Sequence, residues 1–220
     1  MLEHLISLPI VDEPATGEEL CLRCAMKGGS CCVTDPKLTY LSFPLSLPEW
    51  RRLAPYSRLA TRAVPANKES FAQEERNIVA EPFTHALPAA PLPEGDAVCS
   101  SEENRPDFIL AMHSLFAGEK KKMQNLFPAE SSHLSLRTRV DGSCVFLGSE
   151  GCRLPREVRP WYYLLFPAWI VRGSLTLFVS SDCLVARKAR NPAHGIALLQ
   201  STVEIVRTQH ATLRRDWGFD

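Results

Sequence analysis

The sequence predicts an α+β fold: a small, loop-rich single domain with short helices and a small antiparallel sheet around a cysteine metal site. Three observations predict it. The 220 residues suit one ordinary domain. Seventeen prolines, about 8% of the chain against a usual ~5%, impose many loops and short elements. Eight cysteines exceed what packing alone asks of such a domain, and most of them are clustered.

The elements follow in chain order. Residues 1–20 read as a short leader without a repeat. Ser46-Leu-Pro-Glu-Trp50 carries a cap serine, a proline in the first turn and a glutamate near the positive end of the dipole, so a helix runs from there through Leu53 and stops by Pro55. Prolines at 65, 82, 88, 91, 93 and 106 make residues 65–106 loop-like, with one helical turn around Phe71–Val79. Pro106 and Asp107 open a helix whose apolar face is Phe108, Met112, Leu115 and Phe116 and which closes before Pro128. Its Glu119-Lys-Lys-Lys122 run reads as a solvated face. Leu136 to Leu147 is extended. Ala168–Val171 and Ser174–Ser180 read as a β-hairpin turned at Gly173. A C-terminal helix at about 192–214 starts at Asn191-Pro192. Its buried stripe is Ile196, Leu199, Val203, Val206, His210 and Leu213, with His210 a satisfied core histidine.

Composition excludes several classes. Twenty-five basic residues balance 25 acidic ones, which argues against a nucleic-acid footprint or a polybasic membrane surface. The longest apolar run, Tyr162 to Val171, is half a spanning length and is broken by Pro167. MLEHLISLPIVDEP has no Lys or Arg before its short apolar stretch, unlike a signal peptide, so a soluble, cytoplasmic protein is expected. That setting disfavours disulfides and favours metal or redox chemistry for the cysteines.

Cys21, Cys24, Cys31 and Cys32 fall in CLRCAMKGGSCC, Cys144 and Cys152 in CVFLGSEGC, and Cys183 in SSDCLVARKA. A C-x2-C turn lets two thiolates converge on one metal, and Gly28 and Gly29 let the backbone approach closely. Thiolates are soft ligands that suit zinc or iron–sulfur centres. Buried cysteine as a small hydrophobe accounts for one or two such residues, not for a CxxC plus a CC flanked by glycine and charge. For Cys99, alone in GDAVCSSEEN, that packing role is the expected one. A thioredoxin-like site needs a strand before Cys21 and a helix after Cys24; polar TGEEL and the following GGS argue against both. No HExxH pair, phosphate loop or nucleophile elbow occurs, and Glu157 and Asp182 read as surface groups or caps. Catalytic residues are therefore unknown from motifs.

CLRCAMKGGSCC, SLPEW, GSCVFLGSEGCRLPREVRPWYYLLFP and SDC together resemble the bacterial YkgJ-type cysteine-cluster family, a zinc- or iron-chelating domain. The resemblance covers about 21–53 and 140–185. It leaves a Pro-rich and helical insertion at about 54–135 and the C-terminal helix outside. It implies metal ligation by Cys21, Cys24, Cys31, Cys32, Cys144, Cys152 and Cys183. Arg159 and Pro160 match the family's RP, and Phe166 and Pro167 its FP. Two departures stand out: the Cys24–Cys31 spacing is longer than usual, and Tyr163 and Leu164 replace the family's Cys and Arg. A flagellin lysine methylase shares this domain type on a longer chain. The resemblance implies either an iron–sulfur cluster serving redox or protein-modification and maturation chemistry, or a zinc-stabilised interaction module. Adjacent cysteines in an extended backbone diverge, which tilts the cofactor from zinc to an iron–sulfur cluster. A protein partner or substrate is expected, its identity unknown.

Overall fold

A computed structural model describes residues 20, 22–24, 31–33, 43–61, 98–149, 151–178 and 183–219. The architecture is α+β, with short helices around three small antiparallel sheets. In the largest sheet the central strand is β3 (Ser132–Leu136), flanked by β1 (Pro44–Leu45) and β2 (Cys99–Glu103). The register places Pro44 opposite Ser135, Cys99 opposite Leu136 and Glu103 opposite Ser132. Over its described part, the stretch expected as an insertion contributes β2 and most of β3 to this sheet. The helical turn expected at Phe71–Val79 lies outside the described residues.

Helix α1 (Leu47–Leu53) begins where the cap signal places it. Ser46 Oγ accepts from the Glu49 amide at 3.3 Å, and Glu49 Oε2 accepts from the Ser46 amide at 2.9 Å and from its hydroxyl at 2.8 Å. This reciprocal box satisfies two otherwise orphaned donors. Ser46→Ala is expected to lower stability by about 1–2 kcal/mol in urea unfolding, and a change of only a few tenths would show the box to be incidental. Helix α2 (Ser57–Thr61) follows a single 3-10 turn.

Between β2 and β3, two helices replace the single one expected. Helix α3 (Pro106–Leu115) ends as Phe116 turns into the core. Gly118 then takes φ +97°, a left-handed conformation that interrupts a helix, before α4 (Lys120–Leu126). Lys120, Lys121 and Lys122 are exposed, as a solvated face requires.

Beyond β3 come the short pair β4 (Leu147–Gly148) and β5 (Gly151–Cys152), then α5 (Trp161–Leu165). The hairpin of β6 (Ala168–Val171) and β7 (Ser174–Leu177) turns through Arg172 at φ 48° and Gly173 at φ 79°. Two central residues at positive φ match the twist of a two-residue hairpin. The C-terminal stripe also divides. Helix α6 (Leu184–Lys188) and α7 (Pro192–Leu198) precede α8 (Val203–Asp216), and Gln200 at φ 53° reverses the chain between the last two. The reason is a competing cap: Thr202 Oγ accepts from the Ile205 amide and starts a new helix. The stripe still faces inward, with Ile196, Val206, His210 and Leu213 buried.

Two cores result. The larger surrounds Trp169, which is 0% exposed and donates its indole N–H to the Leu115 carbonyl at 3.0 Å. The smaller joins α1 and the main sheet to Val145, Phe146 and Leu154 of the cysteine loops. No described helix is long and apolar enough to cross a membrane.

Candidate cysteine site

The second cysteine block is mostly loop, and loop carbonyls need donors other than a ladder. Arginines supply them. Arg139 donates to the carbonyls of Cys144 (2.8 Å), Val145 (2.7 Å) and Leu147 (3.0 Å). Arg153 adds a bond to the Val145 carbonyl at 2.6 Å, and Arg159 one to Leu154 at 3.0 Å. A guanidinium offers five donors in a fixed fork, so one side chain can hold several turns at once. The cluster of arginines at 137, 139, 153, 156 and 159 was the available sequence signal for this role.

From the other side, α1 clamps the segment leading into α5. Glu49, 1% exposed, accepts from the Trp161 amide at 2.8 Å through the carboxylate oxygen that the helix cap leaves over. Arg52 donates to the carbonyls of Val158 (3.3 Å) and Arg159 (3.2 Å) and lies 4.5 Å over the Trp161 ring. Burial raises the Glu49 carboxyl above its usual range against the pull of these hydrogen bonds. Glu49 reads from sequence only as a helix-start residue; its bond across to α5 is a long-range contact that no local pattern reveals.

These supports deliver two separated cysteine pairs to one place. The Cys144 amide donates to the Cys32 carbonyl at 2.8 Å, and a β-bridge joins Val33 to Ser143. Cys31, Cys32, Cys144 and Cys152 then line one cavity of about 220 Å³, together with Tyr163 and Arg159. Its remaining walls are largely apolar, and Arg156 and Arg159 are the charged residues among its described lining. Cys31 and Cys32 sit in a turn with their Sγ atoms 4.0 Å apart. The expectation that adjacent thiols diverge therefore does not hold, because the backbone there is not extended.

Electrostatics divide three of the four thiols. Cys32 is held below its usual value, first by the Cys31 hydrogen bond and with help from the Arg159 charge. Burial pushes Cys144 up to about 12 and raises Cys152 against the opposing charge of Arg159. A metal that binds all four must displace protons from the buried pair. Tyr163 is raised well above a normal phenol, by burial and then by Cys144, Tyr162, Cys32 and Cys31.

The remaining cysteines lie elsewhere. Cys24 and Cys183 are buried near each other and do not line the cavity; Cys183 packs with Leu20 and Val185, and burial raises its thiol, with a further contribution from Cys24. Cys21 and Asp182 lie outside the described residues. Cys99 is a core residue of β2, as its surroundings in sequence imply. Among the described residues, no three Cys, His, Asp or Glu side chains are arranged to hold a metal ion.

Fold and site together define an α+β domain whose thiols, drawn from two distant segments, share one cavity. No protein-family model, curated protein or solved structure matches the chain.

Proposed function

We propose that this chain is a metal-binding cysteine-cluster protein of the YkgJ type that carries an iron–sulfur cluster for redox or protein-modification and maturation chemistry. The observation that supports the reading is the convergence of Cys31, Cys32, Cys144 and Cys152 on one cavity across roughly a hundred residues of sequence. In kind, though not in their described arrangement, the donors suit such a group: four soft sulfurs, no described carboxylate or imidazole in the lining, and two guanidinium groups to offset thiolate charge. A volume of about 220 Å³ is well beyond the ~10–15 Å³ that one water-sized occupant needs. A bound cluster would supply one-electron exchange there. The residues that would hold it are those four cysteines, with Arg139, Arg153 and Glu49 keeping their loops in place. Balanced charge favours a protein partner over nucleic acid or a membrane surface, and a cytoplasmic location suits reduced thiols.

One observation favours a second reading. The 4.0 Å Sγ separation of Cys31 and Cys32 lets both sulfurs address a single zinc ion, which would make the chain a zinc-stabilised interaction module. Anaerobic purification with iron, acid-labile sulfide and zinc analysis separates the two. Iron and sulfide are expected, with visible absorption, and Cys144→Ser with Cys152→Ser should abolish both, because a serine oxygen is a hard, poorly ionised ligand. Stoichiometric zinc without iron would establish the second reading. No bound metal in the wild type, or full retention in the double variant, would overturn both.

A further inference from the structure

A second cavity, of about 210 Å³, shares no described lining residue with that of the cysteines. The bend between α3 and α4, the β6–β7 turn and the second half of α8 enclose it. Its charged side chains are Glu119, Arg172 and Arg214. Glu119 is already answered, because Arg214 bonds both of its oxygens and Lys122 stands 3.7 Å away. Arg172 is different: its guanidinium has no ion-pair or hydrogen-bond partner among the described residues. Its φ of 48° is a value that the first central position of such a turn favours for Asn, Asp or Gly. An arginine there runs against local preference, and such outliers cluster where the placed side chain has a use. His210 lines the same cavity, is 6% exposed and carries a buried Nε2 without a partner among the described residues. That unmet polarity is a cost that a bound polar group relieves.

We propose that this cavity binds a small monocarboxylate, its charged end on Arg172 and its apolar body against Leu115, Phe116 and Ile170. The inference is independent of the metal reading above. The planar fork of a guanidinium matches a carboxylate through two parallel hydrogen bonds. One uncompensated positive charge suits one negative charge, whereas a phosphate monoester brings about −1.5 to −2. The volume is below the ~300–1,000 Å³ of sites for drug-sized ligands, so the occupant is small.

The test titrates the ¹⁵N-labelled full chain with isobutyrate and follows amide shifts by two-dimensional NMR. Acetate, the neutral isostere isobutyramide and inorganic phosphate serve as comparisons. Saturable shifts centred on Gly173 and His210 are expected with isobutyrate, at a dissociation constant of about 1 mM for so small a probe. Acetate, isobutyramide and phosphate should each bind more weakly. Arg172→Asn removes the cation and supplies a residue that the turn prefers, so its melting temperature should not fall while isobutyrate binding weakens by about tenfold or more. Absence of saturable shifts at these residues would overturn the inference. Undiminished binding in Arg172→Asn, or equal binding of isobutyramide, would remove the role of the charge and overturn it too. Phosphate or acetate binding as tightly as isobutyrate would make the cavity a general anion site, which is a different assignment.

Discussion

Trp169→Ala is expected to destabilise the protein by about 3–5 kcal/mol, a large share of the ~5–15 kcal/mol typical of a whole domain. The residue is completely buried where four elements meet. Its ring lies 4.9 Å from His210 of α8, 5.7 Å from Phe116 after α3, 5.8 Å from Phe43 before β1 and 6.0 Å from Tyr162 of α5. Aromatic edge-to-face contacts of this kind add to the area buried. Removal would leave a cavity that none of four separate elements can fill alone, and the Leu115 carbonyl would lose its indole donor. Urea unfolding followed by circular dichroism measures the loss. A cost under about 1 kcal/mol would show that the aromatic core closes around the gap. Trp169→Phe keeps most of the packing and isolates the hydrogen bond, with an expected cost of about 1–3 kcal/mol.

The second large effect is on pH dependence. His133 and His210 are 7% and 6% exposed, and burial lowers both from 6.5 to about 4. His133 stacks on Phe108 at 3.9 Å and shares Nδ1 with Asn104 at 2.8 Å, while His210 faces Arg214, whose charge lowers it further, and Glu119, which opposes. Each has a buried Nε2 with no hydrogen-bond partner among the described residues, so His210 is the core histidine that its stripe predicts but not a fully satisfied one. The folded state holds both rings neutral. The unfolded chain takes up protons below about pH 6.5 that the folded chain refuses until about pH 4. Stability is thus complete near pH 7, falls as pH drops through that window and levels off beneath it. At about 1.4 kcal/mol per pH unit, a fall from 6.5 to about 4 sets a ceiling of about 3.5 kcal/mol for each histidine. Glu119, lowered by its bond with Arg214, adds to the acid loss at the bottom of the window, whereas Glu49, raised by burial, opposes it. The check is urea unfolding at pH 7 and pH 4.5 for wild type and His133→Gln/His210→Leu. A shallower pH slope in the double variant is expected; parallel slopes would sink the assignment.

Much of the fold was legible where it is local. The Ser46–Glu49 cap, the Arg172-Gly173 turn and the inward stripe of the last helices each depend on residues a few positions apart, and each is present. Helix continuity was not legible. Phe108 to Phe127 and Ile196 to Leu213 keep an apolar period across their breaks, because the core draws on both halves of each pair. At the site, spacing marked the cysteines but not their grouping. Cys24 and Cys31 are neighbours in sequence, yet Cys24 lies with Cys183 while Cys31 lies with Cys144. That partition depends on the Cys32–Cys144 backbone bond and on Arg139, whose partners emerge only when the second loop folds onto the first.

The same backbone bond places the cavity's assembly in time. Cys31 and Cys32 leave the ribosome roughly a hundred residues ahead of Cys144, an interval of about 5–20 s at ordinary rates of synthesis. During that interval the leading pair has neither the Cys144 amide against its carbonyl nor Arg159 beside its lowered thiol. The nascent chain therefore presents an adjacent dithiol to the cell before it has a pocket to shelter it. The redox conditions met during synthesis bear on whether that pair reaches its cavity as thiols.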